Sequence, residues 1–336
     1  MKQKRSIMCT LLVPVLLCTI GLSSLYAQRA NPSTDFKYDL NEKEDGIVIQ
    51  QYLGESKDVV IPAEIEEIPV KEIGPEAFCR YGFYLSSIIF PEHLESIDET
   101  AFPNSNFTSL TFPKGLKNIG TSAFYGCNNL ISVTFLGEVK SIDKGAFAKC
   151  ARLQSVTFEE KVKSVGEKAF YDCNNLTSVT FHGEVDTIGK RAFSCHYYYY
   201  DDTSLTTVTF HKEVGSIGEE AFADCIKLSS VTFEGKVNNI GEKAFSGCKN
   251  LTSVVFPEGL KNINEQAFSM CGLTSVAFPE GLISIGEKAF SDCENLAAVQ
   301  LPQNTISYGE NVFQNCPRLS LKERKKIKQA GYTGEF

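Results

Sequence analysis

An Ala-Phe dipeptide, Val-Phe once, returns along most of the chain. Its Phe falls at 78, 102, 124, 147, 170, 193, 222, 245, 268, 290 and 313. The steps are 24, 22, 23, 23, 23, 29, 23, 23, 22 and 23, so eleven copies share a period near 23 residues. A fixed period of this size marks a stack of small units. No unit buries its apolar set alone, and stacking neighbours covers it in continuous columns.

One regular copy is "GCNNLISVTFLGEVKSIDKGAF", residues 126–147. Val133 and Phe135 stand two apart, the strand period, while Asp143, Ala146, Phe147 and Cys150 follow i, i+3, i+4, i+7, the helical one. The spacing predicts one short strand, a corner, a short helical turn and a second corner per coil. At about 4.8 Å between strands, eleven coils make a rod roughly 50 Å long on one long parallel sheet. Four residues before each Phe stand Gly74, Asp98, Gly120, Asp143, Gly166, Gly189, Gly218, Gly241, Asn264, Gly286 and Gly309. Only Gly, Asn and Asp occur there, the residues that tolerate a positive φ, which predicts the same left-handed corner in every coil.

Twelve Cys in a chain of 336 residues would ordinarily suggest a disulfide framework. Here Cys127, Cys150, Cys173, Cys225, Cys248, Cys271, Cys293 and Cys316 form one column, three residues after the Phe. Each faces only the rungs above and below. A small buried hydrophobe suits that position, so a core ladder of free thiols is expected. No Cys-x-x-Cys pair is present, and no zinc site is assigned.

Met1–Ala27 read as a secretory signal peptide, with Lys2, Lys4 and Arg5 ahead of the apolar run Met8–Leu25. Its removal takes three positive charges and no negative ones, moving the net charge from −8 to −11. An acidic chain argues against nucleic acid or an anionic membrane as partner. The expected location is secreted or cell-surface, with the periplasm as the alternative.

The pattern L-x-S-V-x-F-x-x-x-V-x-x-I-G-x-x-A-F-x-x-C resembles the BspA-type leucine-rich repeat over about residues 36–336. The resemblance implies a leucine-rich repeat solenoid: a right-handed superhelix with one long parallel β-sheet and short helical turns on the opposite side. It implies a surface or secreted protein acting in adhesion or other protein contacts, with no catalytic residues to carry over. With the residue pattern it gives an expected organisation: signal peptide 1–27, N-terminal capping segment 28–72, array of eleven repeats 73–316, C-terminal capping helix 317–336. Ile47, Ile49, Tyr52, Val60 and Ile61 would cover the first coil.

Candidate binding residues lie where the strands face outward. Ser and Thr fill two outward columns, among them Thr180 and Thr209, and make a flat polar surface. A third column holds His182 and His211 on adjacent rungs, flanked by Glu159 and Glu234. At strand spacing they form a candidate cation-binding or pH-sensitive patch. The gap from the Leu entering each strand (Phe107 once) to the following Phe is 17 in every coil, so all length variation falls at one corner. There, His196–Thr203 holds a six-residue insertion carrying Tyr197, Tyr198, Tyr199 and Tyr200, then Asp201 and Asp202. Clustered Tyr is typical of contact surfaces, and insertions in repeat proteins map to one face. No cofactor is expected. Four His without a convergent acid, base and nucleophile argue against an enzyme. The expected function is a non-catalytic protein-binding module, the partner a host matrix or cell-surface protein; a structural spacer in the envelope is the alternative.

Overall fold

The computed structural model describes residues 29–194 and 204–336. Within them the chain is a solenoid of stacked coils with few helices. Each regular coil carries two strands rather than the one expected. The first is the S-V-T-F segment, as in Ser132–Phe135, and the second the V-x-x-I segment, as in Val139–Ile142. Both pair in parallel with the same segments one coil away: Val133 with Val156 and Phe135 with Phe158, Val139 with Val162 and Ile142 with Val165.

The second strand builds the long sheet. Its 14 strands run from the antiparallel pair Phe36–Leu40 and Ile47–Tyr52 to Ser307–Tyr308. The first strand builds a sheet of six, from Ser109–Phe112 to Ser230–Phe233, with separate two-stranded pieces beyond each end. The expectation of one sheet through the S-V-T-F strands is corrected accordingly.

Proline marks where the six-stranded sheet stops. The residue after each strand donates its amide to the Phe carbonyl one coil back: Leu136 to Phe112, Glu159 to Phe135, His182 to Phe158, His211 to Phe181 and Glu234 to Phe210. Just outside these coils the same position is Pro113 or Pro257. Proline has no amide N–H, so the ladder loses that bond at both ends; beyond them the strands pair only in twos, as Ser275–Ala277 with Ala298–Gln300 ahead of Pro302.

The Ala-Phe segment forms β-turns, where short helical turns were expected. Its amides alternate in use. Phe124 and Ser122 donate to Ala146 and Lys144 of the next coil at 2.7 and 3.0 Å, while Ala123 and Tyr125 close turns onto Gly120 and Ser122 at 3.3 and 3.1 Å. Helical bonding would direct all of these amides within the segment. The alternation sends half of them along the rod and leaves the backbone paired in both directions.

The left-handed corners also sit elsewhere. None of the glycines four before Phe has a positive φ. The left-handed residues are two before Phe, such as Ser122, Lys168 and Gln266, and two after it, such as Asn104, Asp172 and Met270. Glycine serves a different purpose in its column. A Cβ at Gly189 would stand 2.7 Å from the Gly166 carbonyl carbon and 2.8 Å from the Val165 carbonyl oxygen. Coils stack closely there because the side chain is absent.

Between the ladders the core is apolar throughout. Leu130, Val133, Phe135, Val139, Ile142, Ala146, Phe147 and Cys150 are all buried in a single coil. Phe rings stack along the rod, Phe147 on Phe170 at 5.1 Å with planes 2° apart and Phe158 on Phe181 at 4.7 Å and 1°. At the far end the helix Leu321–Gln329 is capped by Ser320, which accepts from the Glu323 amide, and Tyr332 packs on Phe313 at 5.5 Å.

Candidate functional site

The parallel register fixes what each sheet shows to solvent. In the six-stranded sheet, Val (Leu110 once) and Phe face inward and are buried, except the half-buried Phe233, while Ser and Thr face outward. Ser178 pairs with Thr207 and Thr180 with Thr209 across adjacent strands. Among the described residues, the hydroxyls of Thr134, Thr157, Thr180 and Thr209 form no hydrogen bond within the chain; all four residues are half-buried.

The neighbouring hydroxyl columns behave differently. Just ahead of the strand, Thr177, Thr206 and Ser229 donate to backbone carbonyls of the preceding coil at 2.8, 3.0 and 3.3 Å. On the long sheet, several polar side chains pair with one another, Asn118 with Ser141, Ser216 with Asn239, and Asn262 with Ser284 at 3.4, 3.5 and 2.8 Å, while among the described residues Ser164 and Thr187 between them do not. The outward hydroxyls of the six-stranded sheet are thus open to an outside partner.

His182 and His211 follow the buried Phe181 and Phe210 at the strand exits. Their rings stack with centroids 4.9 Å apart and planes 2° apart. The Nδ1 of His211 lies 2.8 Å from Glu234 Oε2, and the Nε2 of His182 lies 4.0 Å from Glu159 Oε2. The structure therefore brings Thr180, Thr209, His182 and His211 onto one surface. Tyr197, Tyr198, Tyr199 and Tyr200 lie outside the described residues. Their flanks, Ser194 and Ser204, place the insertion before the buried Leu205, at the strand entry. Six extended residues, about 20 Å, separate Leu205 from His211 at the exit.

The thiol column has no accessible chemistry. All eight column Cys are free and buried, whereas Cys79 is exposed. Each thiol meets the Phe carbonyl one coil back, such as Cys173 with Phe147 at 3.2 Å and Cys271 with Phe245 at 3.1 Å. Burial pushes the Cys150, Cys248 and Cys293 thiols well above their ordinary range and Cys316 up to about 12.

One surface feature was missed from the sequence. In the coils of Pro257 and Pro279 the Thr column is replaced by Val255 and Ala277, and Val255 is 79% exposed. It borders a groove with Phe256, Phe278 and Pro279. The signal was visible as the loss of Thr from an outward column.

Repeated coils of this length, each with an inward Leu, Val and Phe set and parallel ladders along the rod, define a leucine-rich repeat solenoid. The chain belongs to the BspA type leucine rich repeat family: the model of that repeat region matches residues 71–198 and 194–320, in six copies. Three solved structures are similar to this chain. A leucine rich cell surface protein from Faecalibacterium prausnitzii is 24% identical, with 87% of this chain and 93% of that chain covered and a TM-score of 0.41. A leucine-rich repeat protein from Bacteroides ovatus is 21% identical, with coverage of 85% and 92% and a TM-score of 0.45. A leucine rich repeat protein from T. pallidum is 24% identical, with coverage of 92% and 99% and a TM-score of 0.31. Comparison with curated proteins gives no match.

Proposed function

We propose that the chain is a non-catalytic protein-binding module working outside the cell, and that it binds through the outward face of the six-stranded sheet. The observation that carries this is the contrast between the two ladders. Among the described residues, Thr134, Thr157, Thr180 and Thr209 all leave their hydroxyls unbonded, while in the polar column of the long sheet Asn118 bonds Ser141, Ser216 bonds Asn239 and Asn262 bonds Ser284, with Ser164 and Thr187 between them left open. A solvated face and a docking face both present hydroxyls. What favours docking is their arrangement, in register on a rigid sheet and therefore organised before a partner arrives.

Size limits the reading. Six strands of four residues cover about 24 Å by 13 Å, roughly 300 Å². A standard interface buries about 800 Å² per partner. The sheet face alone is too small, so the His182 and His211 column and the insertion bearing Tyr197–Tyr200 would add contact area at its two ends. Tyr suits that purpose, giving large area at low entropy cost. An extracellular setting follows from the reading of Met1–Ala27. Among the described residues no helix is long and apolar enough to cross a membrane. The partner class is a protein of the surrounding matrix or of another cell surface, and the role adhesion.

The test is capture. The chain from residue 28 onward is immobilised and exposed to matrix proteins and to cell-surface extracts. The reading expects a saturable protein ligand bound without turnover. Absence of any saturable ligand, or chemical change of one, would contradict it.

A further inference from the structure

We propose that His182 and His211 form a surface site for one divalent transition-metal ion, with Glu234 orienting the His211 ring. The site goes beyond the protein-binding reading and does not depend on it.

The argument begins with the backbone. His182 and His211 hold equivalent places in adjacent coils, and both amides are tied into the ladder, to Phe158 at 2.8 Å and Phe181 at 3.0 Å. Parallel register brings the two side chains side by side and leaves the rings with centroids 4.9 Å apart. The rings have space to turn: the side chains are 44% and 34% exposed. Two imidazole nitrogens bound to one ion at about 2.0–2.1 Å stand roughly 3 Å apart. Turning the two side chains about χ1 and χ2 is the adjustment that would bring one nitrogen of each ring to that separation while the backbone stays in the ladder.

Glu234 supplies the second observation. Its Oε2 lies 2.8 Å from His211 Nδ1. A carboxylate there keeps the proton on Nδ1 and presents the Nε2 lone pair outward. This is the outer-shell arrangement that metal-binding histidines ordinarily have, and it raises ligand basicity. Glu159, 4.0 Å from His182 Nε2, supplies a carboxylate on the opposite flank. Two carboxylates flanking the ring pair favour a dication.

Ligand chemistry selects the ion. Imidazole suits zinc, copper and nickel, whereas magnesium and calcium require oxygen cages. The column thiols are buried and pushed towards the protonated form, so they offer no competing site. Among the described residues no three metal-ligating side chains form a ready-made cluster. The pair therefore supplies two ligands, and water or a partner's side chain fills the remaining positions. Such an ion exchanges readily and can bridge to a bound protein.

The test uses the untagged chain from residue 28 with Cys79→Ser, titrated calorimetrically with zinc chloride alone. One equivalent should bind. His182→Gln and His211→Gln should each weaken it by at least tenfold, and Glu234→Gln by roughly tenfold, the usual effect of losing such a partner. His93→Gln should leave it unchanged. As a second readout, substoichiometric copper(II) should broaden the ring proton signals of His182 and His211 ahead of those of His93. Absence of binding, binding that survives both His182→Gln and His211→Gln, or uniform broadening would overturn the proposal.

Discussion

Pro257 occupies, one coil on, the place from which Glu234 donates its amide to the Phe210 carbonyl at 2.9 Å, and it has no amide to give to Phe233. Moving a proline into the column should move the break. Glu159→Pro removes the 3.0 Å bond to Phe135 and leaves that carbonyl without its partner in the middle of the sheet. A loss of about 1–3 kcal/mol is expected from denaturant melts. Pro257→Glu should extend protection from hydrogen exchange into residues 253–256. An unchanged melt for Glu159→Pro would show that these amide bonds do not hold the sheet together.

The two glycine-like columns should respond in opposite directions. Gly189→Val places a side chain against the Gly166 backbone at 2.7 Å, which cannot yield as a flexible side chain would. It should destabilise by several kcal/mol, at the upper end of single-residue effects. Gln266→Gly, at φ 51°, relieves a left-handed backbone and should stabilise by up to about 1 kcal/mol after the entropy of glycine is subtracted. Thermal melts of the pair check both signs, and equal effects would mean the columns have been assigned the wrong roles.

The thiol ladder carries a pH dependence. Burial raises the folded-state values of Cys150, Cys248 and Cys293 well above 9.0, and that of Cys316 to about 12. Above about pH 9 the unfolded chain therefore releases thiol protons that the folded chain keeps, so unfolding is favoured as pH rises. Stability from these thiols should be full below that pH and fall progressively towards pH 12. A native-state thiol titration at pH 8 should label Cys79 and spare the eight column cysteines, which should all react after unfolding. Column thiols that react in the native state would show that the ladder is open to solvent.

The six-residue insertion interrupts one corner and leaves the stack on either side of it intact. Phe193 stacks on Phe222 across the insertion at 5.2 Å and 3°, and its amide reaches Ala221 at 2.9 Å. Deleting Tyr197–Asp202 restores the ordinary coil length and should leave the melting temperature within a few degrees of the parent. A large drop would place the tyrosines in the core.

The solenoid was legible because a column repeats a physical requirement eleven times. Phe147, Cys150 and Val133 declare their burial through their columns, and the core follows. Less legible was what the backbone does between apolar positions. Val139 and Ile142 stand three apart, so no period-2 signal announces the strand that builds the long sheet. The residue set Gly, Asn and Asp fits a left-handed corner, but at Gly189 close coil packing selects glycine, while Lys168 and Gln266 take left-handed angles with nothing in their residue type to show it. Of the candidate site, the pairing of His182 with His211 and of Thr180 with Thr209 could be read from register alone. The contrast between open and self-paired hydroxyls needed side-chain geometry.

The central claim is that the outward face of the six-stranded sheet is where a partner docks. The most direct measurement compares two double variants for binding of the captured ligand. Thr180→Arg with Thr209→Arg places bulk and charge on the open hydroxyl face, and Ser141→Arg with Ser164→Arg does the same on the long sheet. With both variants folded by circular dichroism, binding should fall by at least tenfold for the first and stay near the parent value for the second. Binding retained by the first and lost by the second would contradict the account.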